Sequence, residues 1–172
     1  MQTIHRVYAQ AEAAYRSEME GIIADYGGEE YPYEDTRFYE QLCACTYQSG
    51  GVFSFVLHME WFMGGVHNSS ATGHTFDFNL GRELKIGDVL KGNDAQITAA
   101  LENEFAAWYE EEMGEAEKAA VREQSGPDAN FYLAEDGVHI FYMPYVVPAT
   151  QNGADILIPW GSRLVNPANR PS

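Results

Sequence analysis

Trp61, Gly64-Gly65 and His67 fall in one short run, WFMGGVH, where a stacking ring, a titratable donor and two residues without side chains come together. Such a group could admit a ligand to the backbone while Trp61 stacks on it and His67 donates to it. The simpler structural reading gives the glycines positive φ in a loop between strands and lets His67 hydrogen-bond that loop. His58, His67, His74 and His139 could meet as metal ligands across strands, but no H-E-x-x-H or comparable spacing is present, so no metal site is expected. Neither a G-x-S-x-G elbow nor an equivalent nucleophile motif occurs. With 26 acidic residues, any carboxylate pair for glycoside hydrolysis is uninformative. No cofactor is expected.

Cys43 and Cys45 are the only cysteines and lie two apart in a β-prone stretch. They share a strand face with Cα atoms roughly 6.5–7 Å apart, so a bond between them would strain the strand. Both are expected reduced and semi-buried.

Glu110, Glu111, Glu112, Glu115 and Glu117, with Glu29-Glu30 and Glu34-Asp35, form acidic runs in a chain of net charge −16. Ordinarily such runs are solvated helix faces and loops. The sharper expectation is a docking surface for a basic protein, because opposite charge speeds association and is weakened by salt. The same charge argues against nucleic acid or an anionic membrane surface as partner.

The elements that must position these residues follow from periodicity. Ile4 to Tyr26 repeats apolar residues every three or four positions, an amphipathic helix closed by Gly27-Gly28. Thr36 to Gln48 reads as a strand, and Ser49-Gly50-Gly51 turns it into a second strand from Val52. There Phe53, Phe55, Leu57, Met59 and Trp61 share one face, against Ser54, His58 and Glu60: a half-buried strand. A loop of seven residues, 64–70, leads to a third strand with His74, Phe76 and Phe78 on one face. Asn93 and Gln96 form a capping box for a second helix, about 94–113, whose Ile97, Leu101, Phe105 and Trp108 mark one face. Phe131 to Leu133 and Val138 to Met143 pair around Asp136-Gly137, and Pro144 to Pro148 is extended. Ala154 to Trp160 is a last strand, ended or confined to an edge by Pro159. The expected fold is α+β, a mainly antiparallel sheet with two long amphipathic helices packed on it, as a single domain over 1–165 (helix 1–28, sheet 36–164) with a disordered tail 166–172. No apolar run reaches the roughly 18 residues of a membrane span, and the N-terminus has no basic-then-apolar signal pattern.

These segments resemble one bacterial family. Trp61-Phe62-Met63-Gly64-Gly65-Val66-His67, the stretch Phe76-Asp77-Phe78-Asn79-Leu80-Gly81-Arg82-Glu83-Leu84 and Ile86-Gly87-Asp88-Val89-Leu90 follow its order of motifs. So do Phe131-Tyr132-Leu133-Ala134-Glu135-Asp136-Gly137, Pro144-Tyr145-Val146-Val147-Pro148 and Ile156-Leu157-Ile158-Pro159-Trp160. Met63, Val66 and Val146-Val147 depart from its usual residues. The family is the domain of unknown function that forms the extracellular part of the anti-sigma-V factor RsiV and also stands beside peptidoglycan deacetylase domains.

The resemblance implies a non-catalytic, extracytoplasmic ligand-binding domain of a bacterial envelope or secreted protein, with lysozyme, a cationic enzyme, as the implied basic partner. The alternative it implies is an accessory module presenting cell-wall glycan to a deacetylase, where Trp61, Tyr145 and Trp160 would stack on sugars. Trp61, Gly64, Gly65, His67 and Tyr145 are then the candidate ligand-binding residues, and Glu110, Glu111, Glu112 and Glu115 the candidate acidic surface. A hydrolase with an unrecognised carboxylate site is the third class. The residues leave oligomeric state open.

Overall fold

The computed structural model describes residues 38–62, 67–148 and 150–167, together with positions 6, 9, 10, 13 and 17. Two compact units divide the chain, Met1–Arg37 and Phe38–Ser172. In the first, Arg6, Ala9, Gln10, Ala13 and Ser17 are helical and exposed. The rest of the helix expected from Ile4 to Tyr26, and the acidic Glu29-Glu30 and Glu34-Asp35, lie outside the described residues.

The second unit is α+β and holds two antiparallel sheets rather than one. The first contains β1 (Phe38–Ser49), β2 (Val52–Phe62), β3 (His67–Asp77) and β4 (Arg82–Glu83), in that order. Gly50 and Gly51, at φ 59° and 88°, make the turn from β1 to β2, a conformation glycine reaches without the Cβ clash. A register shift between Cys45 and Tyr47 interrupts the β1–β2 ladder. The serine-rich stretch from His67 to Ser70, expected as loop, belongs to β3. It pairs residue for residue with Glu60–Phe62 and Met59, so ladder hydrogen bonds override the weak strand preference of Asn and Ser. Phe78 and Asn79 leave the strand instead. Asp77 Oδ1 accepts from the Asn79 and Leu80 amides at 2.7 and 3.1 Å and turns the chain there.

Short helix α1 (Ile86–Val89), α2 (Asp94–Tyr109) and α3 (Glu115–Gln124) follow, then β5 (Phe131–Leu133), β6 (Gly137–Tyr142) and β7 (Ala154–Pro159), adjacent in that order in the second sheet. Helix α2 starts at the expected box: Asn93 Oδ1 accepts from the Gln96 amide and Gln96 Oε1 from the Asn93 amide, both at 3.0 Å. It stops at Tyr109, short of Met113, because Glu110 takes a left-handed φ of 58°. Ile97, Leu101 and Phe105 are buried as the periodicity requires, whereas Trp108 is 47% exposed.

One face of the second sheet, Phe131, Leu133, Val138, Ile140, Tyr142, Ile156 and Ile158, packs with Ile97, Leu101, Phe105 and Val121 of the helices into the main core. Tyr142 sits edge-on to Phe105 with ring centres 4.6 Å apart, and its hydroxyl shares a hydrogen bond with Ser125 at 2.9 Å. Burial pushes that phenol up to about 12. The opposite face meets the first sheet through Val56, Ala71, Tyr132 and Phe141. There Ser54, on the face expected to be solvated, is fully buried and its Oγ accepts from the Leu133 amide at 2.9 Å. Gly73 lies so near that a Cβ on it would stand 2.0 Å from the Phe131 carbonyl oxygen. The half-buried reading of β2 therefore fails over its first half, since a second sheet covers that side.

Pro144 to Pro148 turns rather than runs extended. Thr150 organises it, its Oγ1 donating to the Val147 carbonyl at 2.8 Å and accepting from the Val147 amide at 3.1 Å. The ordered chain also reaches past the expected start of the tail: Val165 is buried and bridges to Leu90, and the Asn166 amide donates to the Val89 carbonyl at 2.9 Å. Positions 168–172 lie outside the described residues. Among the described residues no helix is long and apolar enough to cross a membrane.

Candidate functional site

The link between α2 and α3 gathers the acidic residues singled out in the sequence. Glu110, Glu111, Glu112 and Glu115 are all exposed. Helix α3 begins as the Gly114 amide donates to Glu117 Oε2 at 2.7 Å, so Glu117 is spent on capping and its neighbours are left outward. Lys118 pairs with Glu115 at 3.1 Å, and among the described residues Glu110, Glu111 and Glu112 have no cationic partner. The Tyr109 hydroxyl donates to Glu111 Oε2 at 3.3 Å, and burial followed by the charge of Glu111 raises its phenol above the ordinary value. Trp108 immediately precedes Tyr109, its ring 5.6 Å from Phe105 and nearly half open to solvent. Chemically this is an exposed acidic run that follows an exposed indole in the chain.

The five candidate ligand-binding residues divide. Gly64 and Gly65 lie outside the described residues. Trp61 faces Asn68 across the β2–β3 ladder, while His67 faces Phe62 and so projects from the opposite side of the hairpin. One surface therefore cannot use both Trp61 and His67. His67 instead pairs with Glu60 at 3.6 Å. Tyr145 does come to this end of the hairpin: it is 58% exposed, has a φ of 63°, and donates its hydroxyl to Asn68 Oδ1 at 2.6 Å. Trp160 is half-buried against Tyr47, its indole N–H shared between the Ala134 and Glu135 carbonyls at 3.0 and 3.1 Å.

The other histidines are spread out. His74 Nδ1 bonds Glu83 Oε1 at 2.7 Å beneath Phe55, and His58 is exposed on β2. Among the described residues no cluster of three His, Cys, Asp or Glu side chains could hold a metal ion. Cys43 and Cys45 are free and exposed, not semi-buried, because β1 lies at the edge of its sheet. Burial first, and Cys45 second, raise the Cys43 thiol.

A constellation that the sequence reading did not assemble lies on the second sheet. His139 Nδ1 bonds Asp155 Oδ1 and its Nε2 bonds Asp136 Oδ1, each at 2.9 Å. Tyr132 stacks on the imidazole at 4.8 Å and donates to Asp155 Oδ2 at 2.5 Å. Strand alternation was the available signal, since it puts His139 and Asp155 on the face opposite Ile140 and Ile156. Carboxylates engage both ring nitrogens, and the group forms a clamp across β5, β6 and β7.

The hydrogen bond to Asp155 raises the His139 pKa above its ordinary 6.5, and the bond to His139 lowers that of Asp136 below 3.8. Burial, then Asp155, lift the Tyr132 phenol far above its usual range. The signs set a window. His139 contributes stability in full below about pH 6.5 and loses it as pH rises through the raised value; Asp136 contributes above about pH 3.8 and loses it as pH falls through the lowered one. Thermal unfolding is expected to show a fall in melting temperature from pH 6 to pH 8 that His139→Gln abolishes.

Residues 87–161 match the family model described as Protein of unknown function (DUF3298). The DUF3298 match spans α1 to the end of β7, and thus contains the acidic link and the His139 clamp but not the β2–β3 hairpin. A member of the DUF3298 family from Bacteroides fragilis shares the fold at a TM-score of 0.55 and 20% identity, over 96% of this chain and 69% of its own. A DUF3298 family protein from Pseudomonas aeruginosa gives 0.54 and 16%, over 81% and 69%. At such identities the likeness concerns the fold alone. No curated protein matches the chain.

Proposed function

We propose that this chain is a non-catalytic, extracytoplasmic recognition domain of a bacterial envelope or secreted protein, which docks a basic protein on the link between α2 and α3. The observation that carries this reading is the exposed row Glu110, Glu111 and Glu112 beside Trp108, with no cation of its own among the described residues. An interface of this kind draws its energy from a central aromatic anchor and its speed and selectivity from the charges around it. The motif resemblance to the RsiV ectodomain family supports lysozyme as the basic protein.

Titration calorimetry with hen lysozyme is expected to show saturable binding that persists in moderate salt. Glu110→Gln, Glu111→Gln and Glu112→Gln together are expected to weaken it by about tenfold or more at low salt. Binding that disappears with salt, or that the three substitutions leave unchanged, overturns the reading.

One observation favours the alternative, an accessory glycan-binding module. Tyr145 holds an exposed ring in a left-handed backbone conformation, anchored by Asn68, and such a rigid ring is suited to stacking on a sugar. Saturation by peptidoglycan fragments in place of lysozyme would select it.

A further inference from the structure

Apart from the register shift between Cys45 and Tyr47, strand β1 lacks the devices that usually protect a sheet edge. It is 12 residues long, pairs on one side only among the described strands, and contains neither lysine nor proline. Glu40 is its only charged residue. Residues 40 to 45 are exposed one after another, so both faces of the strand are open, with Leu42 itself 56% exposed. Within this segment Cys43 and Cys45 flank Ala44, both thiols exposed and free.

We propose that β1 is a self-association edge, to which a second copy of this chain adds its own β1 antiparallel about a two-fold axis at Ala44. The symmetry of Cys-Ala-Cys argues for a second copy over a foreign strand. In that register Cys43 of each copy lies opposite Cys45 of the other, twice over. Directly opposed Cα atoms in an antiparallel pair are about 4.5–5.5 Å apart, inside the range a disulfide spans. Two thiols that would strain one strand by bonding to each other thus have unstrained partners across the interface. The two Glu40 carboxylates fall at opposite ends of the paired segment, so no like charges face each other despite the net charge of −16.

Oxidised glutathione can supply the oxidising equivalents. The Cys43 thiolate attacks it and releases one glutathione thiol; Cys45 of the second copy then attacks the mixed disulfide and releases the other. For each cross-strand bond, two protein thiols are oxidised and one glutathione disulfide is reduced.

The test is to incubate the chain with oxidised glutathione in moderate salt and read intact mass and light scattering without reductant. The expected product is a dimer whose proteolytic map joins Cys43 to Cys45. Cys43→Ser and Cys45→Ser each remove both opposed pairs and are expected to form no covalent dimer, whereas an equal mixture of the two variants crosslinks once. Ala44→Asp keeps both thiols but sets two carboxylates on the axis, and is expected to reduce crosslinking at least tenfold. Crosslinking that survives in either single serine variant or in Ala44→Asp overturns the proposal, because it would show exposed thiols colliding without strand pairing. A monomer two hydrogens lighter, bonded within one strand, or a wild-type chain that stays reduced overturns it as well.

Discussion

Gly73→Ala is expected to destabilise the fold by about 3 kcal/mol or more, seen as a large drop in the urea midpoint. The added methyl would stand 2.0 Å from the Phe131 carbonyl oxygen and 2.9 Å from the Tyr132 nitrogen, and neither backbone atom can rotate away. One of the two sheets must move. Around that point the Gly73 amide donates to Asn130 Oδ1 at 2.8 Å, Asn130 Nδ2 donates to the Ala71 carbonyl at 2.7 Å, and Ser54 holds Leu133. Separation strains all three bonds at once, each worth about 1 kcal/mol and more if a buried partner is left unmade. Gly161→Ala is the control, because no atom lies within 4 Å of its added methyl. It should shift the midpoint by no more than a few tenths of a kcal/mol. Equal effects of the two substitutions would refute the close crossing of the sheets.

Phe105→Ala should be the most damaging change in the helical layer, at about 3–5 kcal/mol. Phe105 is fully buried and joins Tyr142 of β6 to Trp108 and Tyr109 of its own helix. Truncation empties a ring-sized volume between α2 and the second sheet, and the Tyr142 hydroxyl, bonded to Ser125 and the Leu101 carbonyl, prevents its ring from collapsing into the gap. Denaturant unfolding of Phe105→Leu beside Phe105→Ala separates cavity from shape, since leucine should recover more than half the loss.

What was legible in the sequence is what neighbouring residues decide between them. Asn93 and Gln96 cap α2 three residues apart, Gly50-Gly51 turns the first hairpin, and Pro159 closes an edge strand. The missed features depend on partners distant along the chain. Ser54 looked solvated because its cover, Leu133, is 79 positions away. Ser69 and Ser70 looked like loop because their strand character comes from pairing with Glu60 and Met59. The candidate site divides along the same line. The acidic link is contiguous and could be read directly, whereas alternation across β2 and β3 separates Trp61 from His67, and the clamp adds Asp155 to the hairpin residues 132, 136 and 139 through a β6–β7 pairing that no local pattern encodes.

Glu110 shows what the acidic link demands of the fold. Its left-handed backbone would be relaxed by glycine, and glutamate there forgoes that relief. Its carboxylate also sits at the C-terminal end of α2, where the helix dipole favours a cation. Neither feature strengthens the helix, and α2 would end as cleanly with a neutral glycine. The position is therefore a trade-off: the end of α2 gives up some stability and in exchange carries a negative charge into solvent.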